Sequence, residues 1–190
     1  MPAMVDTQIP IYALRTPKTR DSQEARVLTL SAQRLMQTNP TACISSLSVL
    51  EVLRGLRAAE ETAFRTMLRR LDVRAVTGPV AIRAHALLLA RGPREGICPR
   101  CLSTVKSSPC GRCNALVSRQ QRLNDALIVA TAEHAPDVDV LYTNDDGMLA
   151  MNDFVTGLSI RRLPLDADGP LFERVHEKKA GPDAGTTEES

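Results

Sequence analysis

The chain has 190 residues, 43% hydrophobic and 24% charged, the composition of one globular domain with room for a core and far from that of a disordered or fibrous chain. Aromatic residues make up 3% with no Trp, which argues against an RNA binder built on an aromatic stacking platform. The net charge of +2 conceals an uneven distribution: Arg91, Arg94, Arg100, Lys106, Arg112, Arg119 and Arg122 face the single acid Glu95, whereas the stretch from Asp166 onward is mostly acidic.

In chain order, Ala3, Met4 and Val5 predict a short buried strand that stops at Asp6, and Ile9, Ile11, Tyr12 and Leu14 continue the apolar density. A helix is expected from Asp21 to about Met36, with Ala25, Leu28, Ala32 and Leu35 on one face, ended by Asn39-Pro40. Ala42, Cys43 and Ile44 predict a second buried strand. Ser48 then opens a helix that closes near Gly55 and carries Glu51 in its first turn. Glu60 to Arg70 has helical amphipathicity, and Val73 to Val76 reads as a short extended or turn segment. Gly78-Pro79 starts a further helix that Gly92-Pro93 stops.

Residues 92–119 change in character, being rich in Cys, Pro, Gly, Ser and basic side chains, and read as an insertion within a domain spanning 1–165. Beyond it, Asn124-Asp125 is expected to cap a helix carrying Leu127, Ile128, Ala130 and Thr131. Val138 to Tyr142 forms a clear strand with Asp145 just past its end. A last strand is expected over Leu158 to Leu163, and the polar tail 177–190 is expected to be disordered.

No apolar run approaches the roughly 18 residues of a membrane span, and the N-terminus lacks the basic-then-apolar pattern of a signal peptide. A cytoplasmic protein without membrane contact is expected. Cytosolic thiols stay reduced, so four cysteines in paired CxxC spacing read as metal ligands before disulfides.

Asp6, Glu51, Asp125 and Asp145 each follow or join an apolar run where an open parallel sheet delivers side chains to its carboxyl edge. Two carboxylates about 5 Å apart repel by about 3 kcal/mol at an effective dielectric near 20, so four converging acids call for a cation or bound protons. A hard divalent ion held by carboxylate oxygens and water answers that need and suits phosphodiester chemistry. His85, His134 and His176 are scattered, and such chemistry needs no histidine base.

The segments MVDTQIPIYAL, ISSLSVLEVLRGL, LNDALIVATA and VLYTNDDGM, around Asp6, Glu51, Asp125 and Asp145 in that order, resemble those of the PIN-domain ribonucleases, and among them the VapC-type toxins of bacterial toxin–antitoxin systems. The resemblance implies an α/β three-layer α/β/α PIN-like domain with a central parallel sheet and Mg²⁺ or Mn²⁺ at Asp6, Glu51, Asp125 and Asp145. It also implies cleavage of structured RNA, an antitoxin partner and a homodimer. Thr143, two residues before Asp145, fits the pattern. Gln8 and Pro10 depart from it, and Pro10 is expected to alter the loop after the first strand. Asp146 competes with Asp145 as ligand, with the register to Thr143 favouring Asp145.

Each acid also has a purely structural reading. Ser48-x-x-Glu51 fits a capping box, Asn124 and Asp125 suit a helix N-terminus, and Asp145-Asp146-Gly147 suits a turn. Asp6 resists such a reading, because a charge beside buried strand residues is costly unless paired. Thr7, Ser45, Asn124 and Thr143 flank the acids and either orient them or serve as local caps.

Cys98-Pro-Arg-Cys101 and Cys110-Gly-Arg-Cys113 are spaced as two knuckles presenting four thiolates to one Zn²⁺. With no open coordination position such a zinc is structural, and a redox pair or surface disulfide is the alternative use of these residues. Cys43, in a strand, reads as a small buried hydrophobe. The basic residues around the knuckles either grip RNA phosphates or keep the module soluble. The expected function is a Mg²⁺-dependent endoribonuclease, acting as a toxin. The alternatives are a housekeeping RNA-processing nuclease and a non-catalytic zinc-stabilised binding module.

Overall fold

The computed structural model describes residues 2–91, 96–97, 101, 104–105, 110–113 and 120–165. Its elements in chain order are β1 (Met4–Val5), α1 (Gln8–Leu14), α2 (Gln23–Thr38), β2 (Cys43–Ser45), α3 (Ser46–Gly55), α4 (Ala58–Leu68), β3 (Asp72–Arg74) and α5 (Gly78–Arg91). They continue with the short pair β4 (Gly96–Ile97) and β5 (Thr104–Val105), α6 (Gln120–Glu133), β6 (Val140–Thr143), α7 (Asp146–Leu149), a 3₁₀ turn (Asn152–Phe154) and β7 (Ser159–Arg162).

Five strands form one parallel sheet in the order β3-β2-β1-β6-β7, while β4 and β5 pair antiparallel on their own. Parallel neighbours cannot be joined by tight hairpins, so the connections carry helices, and these cover both faces to give three α/β/α layers. Successive side chains of a strand point to opposite faces. Met4, Cys43 and Leu141 accordingly join one core with Val80, Ala84 and Leu87 of α5 and Ala126, Ile128 and Val129 of α6. Val5 and Ile44 join the other with Ile9 of α1, Ala32 and Leu35 of α2, and Leu71. Burial on both sides explains why these strands are continuous apolar runs without polar alternation.

The order of the sheet places the functional edge. From β1 the chain moves outward through β2 and β3, and later returns to β1's other side with β6 and β7. The order therefore reverses between β1 and β6, and at such a switch point a crevice opens outside the carboxyl ends of the strands.

Three local expectations are corrected. The segment after β1 is not an altered loop: α1 begins at Gln8, and Pro10 sits buried in its first turn, where a missing amide hydrogen is tolerated. α3 begins two residues earlier than Ser48, with the Ser45 hydroxyl accepting from the Leu47 amide at 3.3 Å, so Glu51 lies in its second turn. α6 begins at Gln120, so Asn124 and Asp125 lie inside the helix rather than capping it.

Two polar clusters fasten the frame. Arg83 of α5 donates from Nε to Glu133 Oε2 at 2.6 Å and from Nη2 to Glu133 Oε1 at 2.8 Å and to the Phe154 carbonyl at 2.7 Å, tying α5 and α6 to the 3₁₀ turn. Arg74 bridges Asp72 and Asp137 at 2.7 Å each and donates to buried Cys43 Sγ at 3.8 Å. Cys43, Asp72 and Asp137 would otherwise be spaced for a metal ion, but the guanidinium supplies the positive charge there. No helix among the described residues is long and apolar enough to cross a membrane. The tail 177–190 lies outside the described residues.

Candidate functional site

Asp6 is the first residue beyond β1, and its amide still donates to the Tyr142 carbonyl of β6 at 3.0 Å. Its side chain is thereby fixed at the switch point and is 4% exposed. Oδ1 accepts from the Thr7 amide at 2.5 Å and Oδ2 from the Thr143 hydroxyl at 2.9 Å. Burial pushes the carboxyl up to about 6; the Thr143 and Thr7 hydrogen bonds pull it down, while the charges of Asp145 and Glu51 push it further up.

Glu51 reaches the same place from α3. Oε2 accepts from the Thr7 hydroxyl at 2.6 Å and Oε1 from Asn124 Nδ2 of α6 at 2.5 Å. The capping box with Ser48 is therefore not what holds it. Instead Glu51 joins the N-terminus of α1 to the second turn of α6, across 44 and 73 residues of sequence.

Asp125, beside Asn124 on α6, is pushed up to about 7 by burial first, then by the charges of Asp145, Asp6 and Glu51, with Arg91 pulling it down. Asp145 follows β6 and caps α7, its Oδ1 accepting from the Met148 amide at 3.1 Å. Its own amide donates to the Thr143 hydroxyl at 3.0 Å, so one threonine orients both Asp6 and Asp145. Asp146 points elsewhere and pairs with Arg162 of β7. The structure thus brings Asp6, Glu51, Asp125 and Asp145 to one edge, two from strand ends and two from helices.

Gly147 marks a point bordered by two of these acids, Asp145 and Asp125. A Cβ at this position would overlap Asp145 Oδ1 and lie 3.4 Å from both Asp125 Oδ2 and Arg91 Nη2. Only glycine leaves that point clear, and Arg91, the last residue of α5, brings a cation to it. Neither residue was singled out for the site by the sequence: Arg91 read as one of several basic residues and Gly147 as part of a turn. Nothing local signals that α5 ends against α6's acid.

The donor set suits a hard divalent ion. Four carboxylates with no histidine or thiol among them match oxygen-preferring cations, and Asp6 and Asp125 titrate so high that protons stand in for missing positive charge. Sets of three thiolate or carboxylate atoms all within 4.8 Å occur among the described residues at Cys101/Cys110/Cys113 and Cys43/Asp72/Asp137, but not among these acids. The carboxylates therefore stand wider than a closed all-protein cage, and an ion held among them would complete its coordination with water.

In the second cluster, Cys101 and Cys110 have their sulfurs 3.6 Å apart, far beyond a disulfide bond, and Cys113 completes a trio of thiols within 4.8 Å. Sulfurs about 2.3 Å from a tetrahedral Zn²⁺ stand about 3.8 Å from one another, so this spacing fits zinc. Cys98, the expected fourth ligand, lies outside the described residues, as do Arg94, Arg100, Lys106 and Arg119.

A parallel α/β/α sheet with carboxylates gathered at its switch point defines a class of acid-centred α/β proteins. Residues 3–153 match the family model described as PIN domain, and the chain belongs to that family. The fold is shared with a toxin–antitoxin complex from Klebsiella pneumoniae, 20% identical with a TM-score of 0.51 over 83% of this chain and 99% of that one. VapBC2 from Rickettsia felis, bound to a DNA fragment from its promoter, aligns at 17% identity and TM-score 0.49, over 86% of this chain and 100% of that one. DNA-bound VapBC from Salmonella typhimurium aligns at 18% identity and TM-score 0.49, over 86% and 99%. No curated protein sequence matches this chain significantly.

Proposed function

We propose that this protein is a divalent-metal-dependent endoribonuclease in which Asp6, Glu51, Asp125 and Asp145 hold Mg²⁺ or Mn²⁺. The observation that carries the reading is the gathering of these acids at one sheet edge, with Asp125 and Asp145 about the point kept open by Gly147 and with Asp6 and Asp125 raised to about 6 and about 7. When bound, the ion supplies neutralisation of phosphate charge and a coordinated water of lowered pKa.

The chain's own residues do the positioning. Asp6 is fixed from two sides by the Thr7 amide and the Thr143 hydroxyl, and Glu51 by Thr7 and Asn124, so neither carboxylate reorients when charge develops nearby. Asp125 and Asp145 border the open point, and Arg91 is placed there to receive a phosphate oxygen. In the metal-free chain the Asp125 carboxyl is raised to about 7 by burial and by the neighbouring acids, so an ion taken up among them would displace a proton there.

The setting extends the same proposal. The Klebsiella pneumoniae structure of this fold is a toxin–antitoxin complex; we assign this chain the toxin role in the cytoplasm, as a homodimer silenced by an antitoxin that occludes the carboxylates. We also assign residues 92–119, as an insertion within the 1–165 domain, one structural Zn²⁺ held by Cys98, Cys101, Cys110 and Cys113, a reading supported by the clustering of Cys101, Cys110 and Cys113.

The test is cleavage of total RNA by purified protein. Activity should require Mg²⁺ or Mn²⁺, stop in EDTA and vanish in Asp125→Asn without loss of fold. Undiminished cleavage in EDTA, or by Asp125→Asn, would refute the proposal.

A further inference from the structure

α5 turns an uncharged face to solvent. Ala81, Ile82, His85, Ala86, Leu89 and Ala90 are all exposed, Ile82 at 75% and Leu89 at 67%. We propose that this face is where two copies of the chain meet, their α5 helices packed antiparallel about a two-fold axis that passes between His85 and Ala86. It rests on the homodimer assigned above and names the surface that makes it.

A helix at a protein surface ordinarily carries charge on its outer side. α5 has two charged residues, and both turn inward: Arg83 donates to Glu133 and to the Phe154 carbonyl, and Arg91 reaches the point beside Gly147. The inner side is already taken, with Val80, Ala84 and Leu87 in one core with α6. What remains outside is a single stripe, because Ile82, His85, Ala86 and Leu89 follow one another at the helical spacings that make residues neighbours on one face. Scattered exposed apolar residues are ordinary, but a continuous stripe of them marks a contact surface.

The stripe is self-complementary, which commits it to a second copy. A two-fold contact brings each residue to a position that the same residue occupies in return. About an axis between His85 and Ala86, Ile82 meets the partner's Leu89, Ala81 meets the partner's Ala90, and His85 meets the partner's Ala86. Side chains of equal size thus face each other, and small residues at both ends let the backbones approach. The heptad spacing of Ile82 and Leu89 is that of helices packed about 20° from antiparallel. Neither copy brings a charge, so identical faces meet without repulsion, whereas a nucleic acid or an acidic peptide finds no counter-charge on the stripe. With Val76 just before α5 and Phe154 beside Arg83, 36% and 38% exposed, the surface offers on the order of 600 Å² per chain, close to the roughly 800 Å² per partner of a standard interface. α5 also ends in Arg91, so the helix that meets the partner is the one that brings a cation to the acids.

The test is sedimentation equilibrium of the full chain over a concentration series, with circular dichroism to show that each variant folds. The native chain should be a dimer. Ile82→Lys and Leu89→Glu, at positions already open to water, should each weaken it by at least about a hundredfold, because two-fold symmetry sets every change into the contact twice. Ile82→Lys combined with Leu89→Glu should recover most of that loss, since the antiparallel register puts the new lysine of one copy against the new glutamate of the other. The two positions lie about 10 Å apart along their own helix, so recovery has to come from across the contact. Dissociation in both single variants without recovery in the double would overturn the antiparallel pairing. A dimer that persists in both single variants would overturn this surface and leave the homodimer standing. A native chain that stays monomeric would overturn both and mean that a different molecule, or residues 92–119, covers the stripe. None of these outcomes depends on cleavage: a protein that dimerises through α5 and cuts no RNA would uphold the surface and sink the nuclease reading alone.

Discussion

Replacing Asp6 with Asn should stabilise the metal-free protein while removing its metal binding and cleavage, and the gain should depend on pH. The Asp6 carboxyl is raised from 3.8 to about 6 in the folded chain. Between those values the folded state binds more protons than the unfolded one. The stabilisation from this group is thus fully present below about pH 4 and lost as pH rises through about 6. At pH 8 the buried carboxylate costs about 3 kcal/mol relative to its protonated form, each pKa unit being worth about 1.4 kcal/mol. At pH 4 the cost is under about 1 kcal/mol.

Asn carries no charge and keeps both contacts. Its Oδ1 can accept from the Thr7 amide, and its Nδ2 can donate to the Thr143 oxygen, which already accepts from Asp145 and has a second lone pair. Urea unfolding in EDTA should therefore show Asp6→Asn more stable than the native chain by about 2–3 kcal/mol at pH 8, or roughly 5–10 °C in Tm, and nearly equal at pH 4. With Mg²⁺ added at pH 8 the order should reverse, since only the native chain gains from the ion. A variant less stable at pH 8 in EDTA, or a gap that does not change with pH, would refute the reasoning.

Further outcomes follow from other parts of the site. Gly147→Ala sets a Cβ onto Asp145 Oδ1, so the carboxylate must move and release the Met148 amide. The loss should be about 1 kcal/mol in denaturant and at least about tenfold in single-turnover cleavage, and full activity would show that the open point is irrelevant. Elemental analysis should find about one zinc per chain, retained through dialysis that strips Mg²⁺. Cys98→Ser with Cys110→Ser should lose it while the α/β core still unfolds cooperatively, and a zinc-free native protein would refute the module. Replacing Arg100, Arg112, Arg119 and Arg122 together with Gln should lower the slope of log affinity for RNA against log salt by roughly 0.7 per lost phosphate contact. An unaltered slope would show that the insertion does not grip RNA.

The parallel sheet was legible because its three inner strands are largely buried: Ala3-Met4-Val5, Ala42-Cys43-Ile44 and Val140-Leu141-Tyr142 are apolar without interruption, and each lies in or beside a strand. α1 was not, because Ile9, Ile11, Tyr12 and Leu14 combine a buried face with Pro10, and from sequence proline argues against helix except at a start that is itself unknown. Local rules misplaced the starts of α3 and α6 for a related reason. Ser48-x-x-Glu51 satisfies the capping-box pattern, but Ser45, at the end of β2, caps first, and Glu51 is drawn to Thr7 and Asn124.

The meeting of Asp6 and Asp145 could be expected from their places at strand ends, since a parallel sheet gathers such ends on one edge, whereas Glu51 and Asp125 reach it from within α3 and α6. What fills the gaps between the acids could not be expected. Arg91 arrives by the packing of α5 on α6, and Gly147 matters only because Asp145 turns back over it. The Thr143 hydroxyl that links Asp6 to Asp145 spans 137 residues, beyond the reach of any local pattern.

The measurement that bears most directly on the central claim is anomalous diffraction from crystals grown with Mn²⁺ at about pH 7.5, above the raised values of Asp6 and Asp125. The account predicts an ion peak bounded by Asp6, Glu51, Asp125 and Asp145, near the point that Gly147 leaves open. It also predicts that the peak is absent from Asp125→Asn crystals grown in the same way. Saturating Mn²⁺ with no peak among these carboxylates, or a peak that survives in Asp125→Asn, would contradict it.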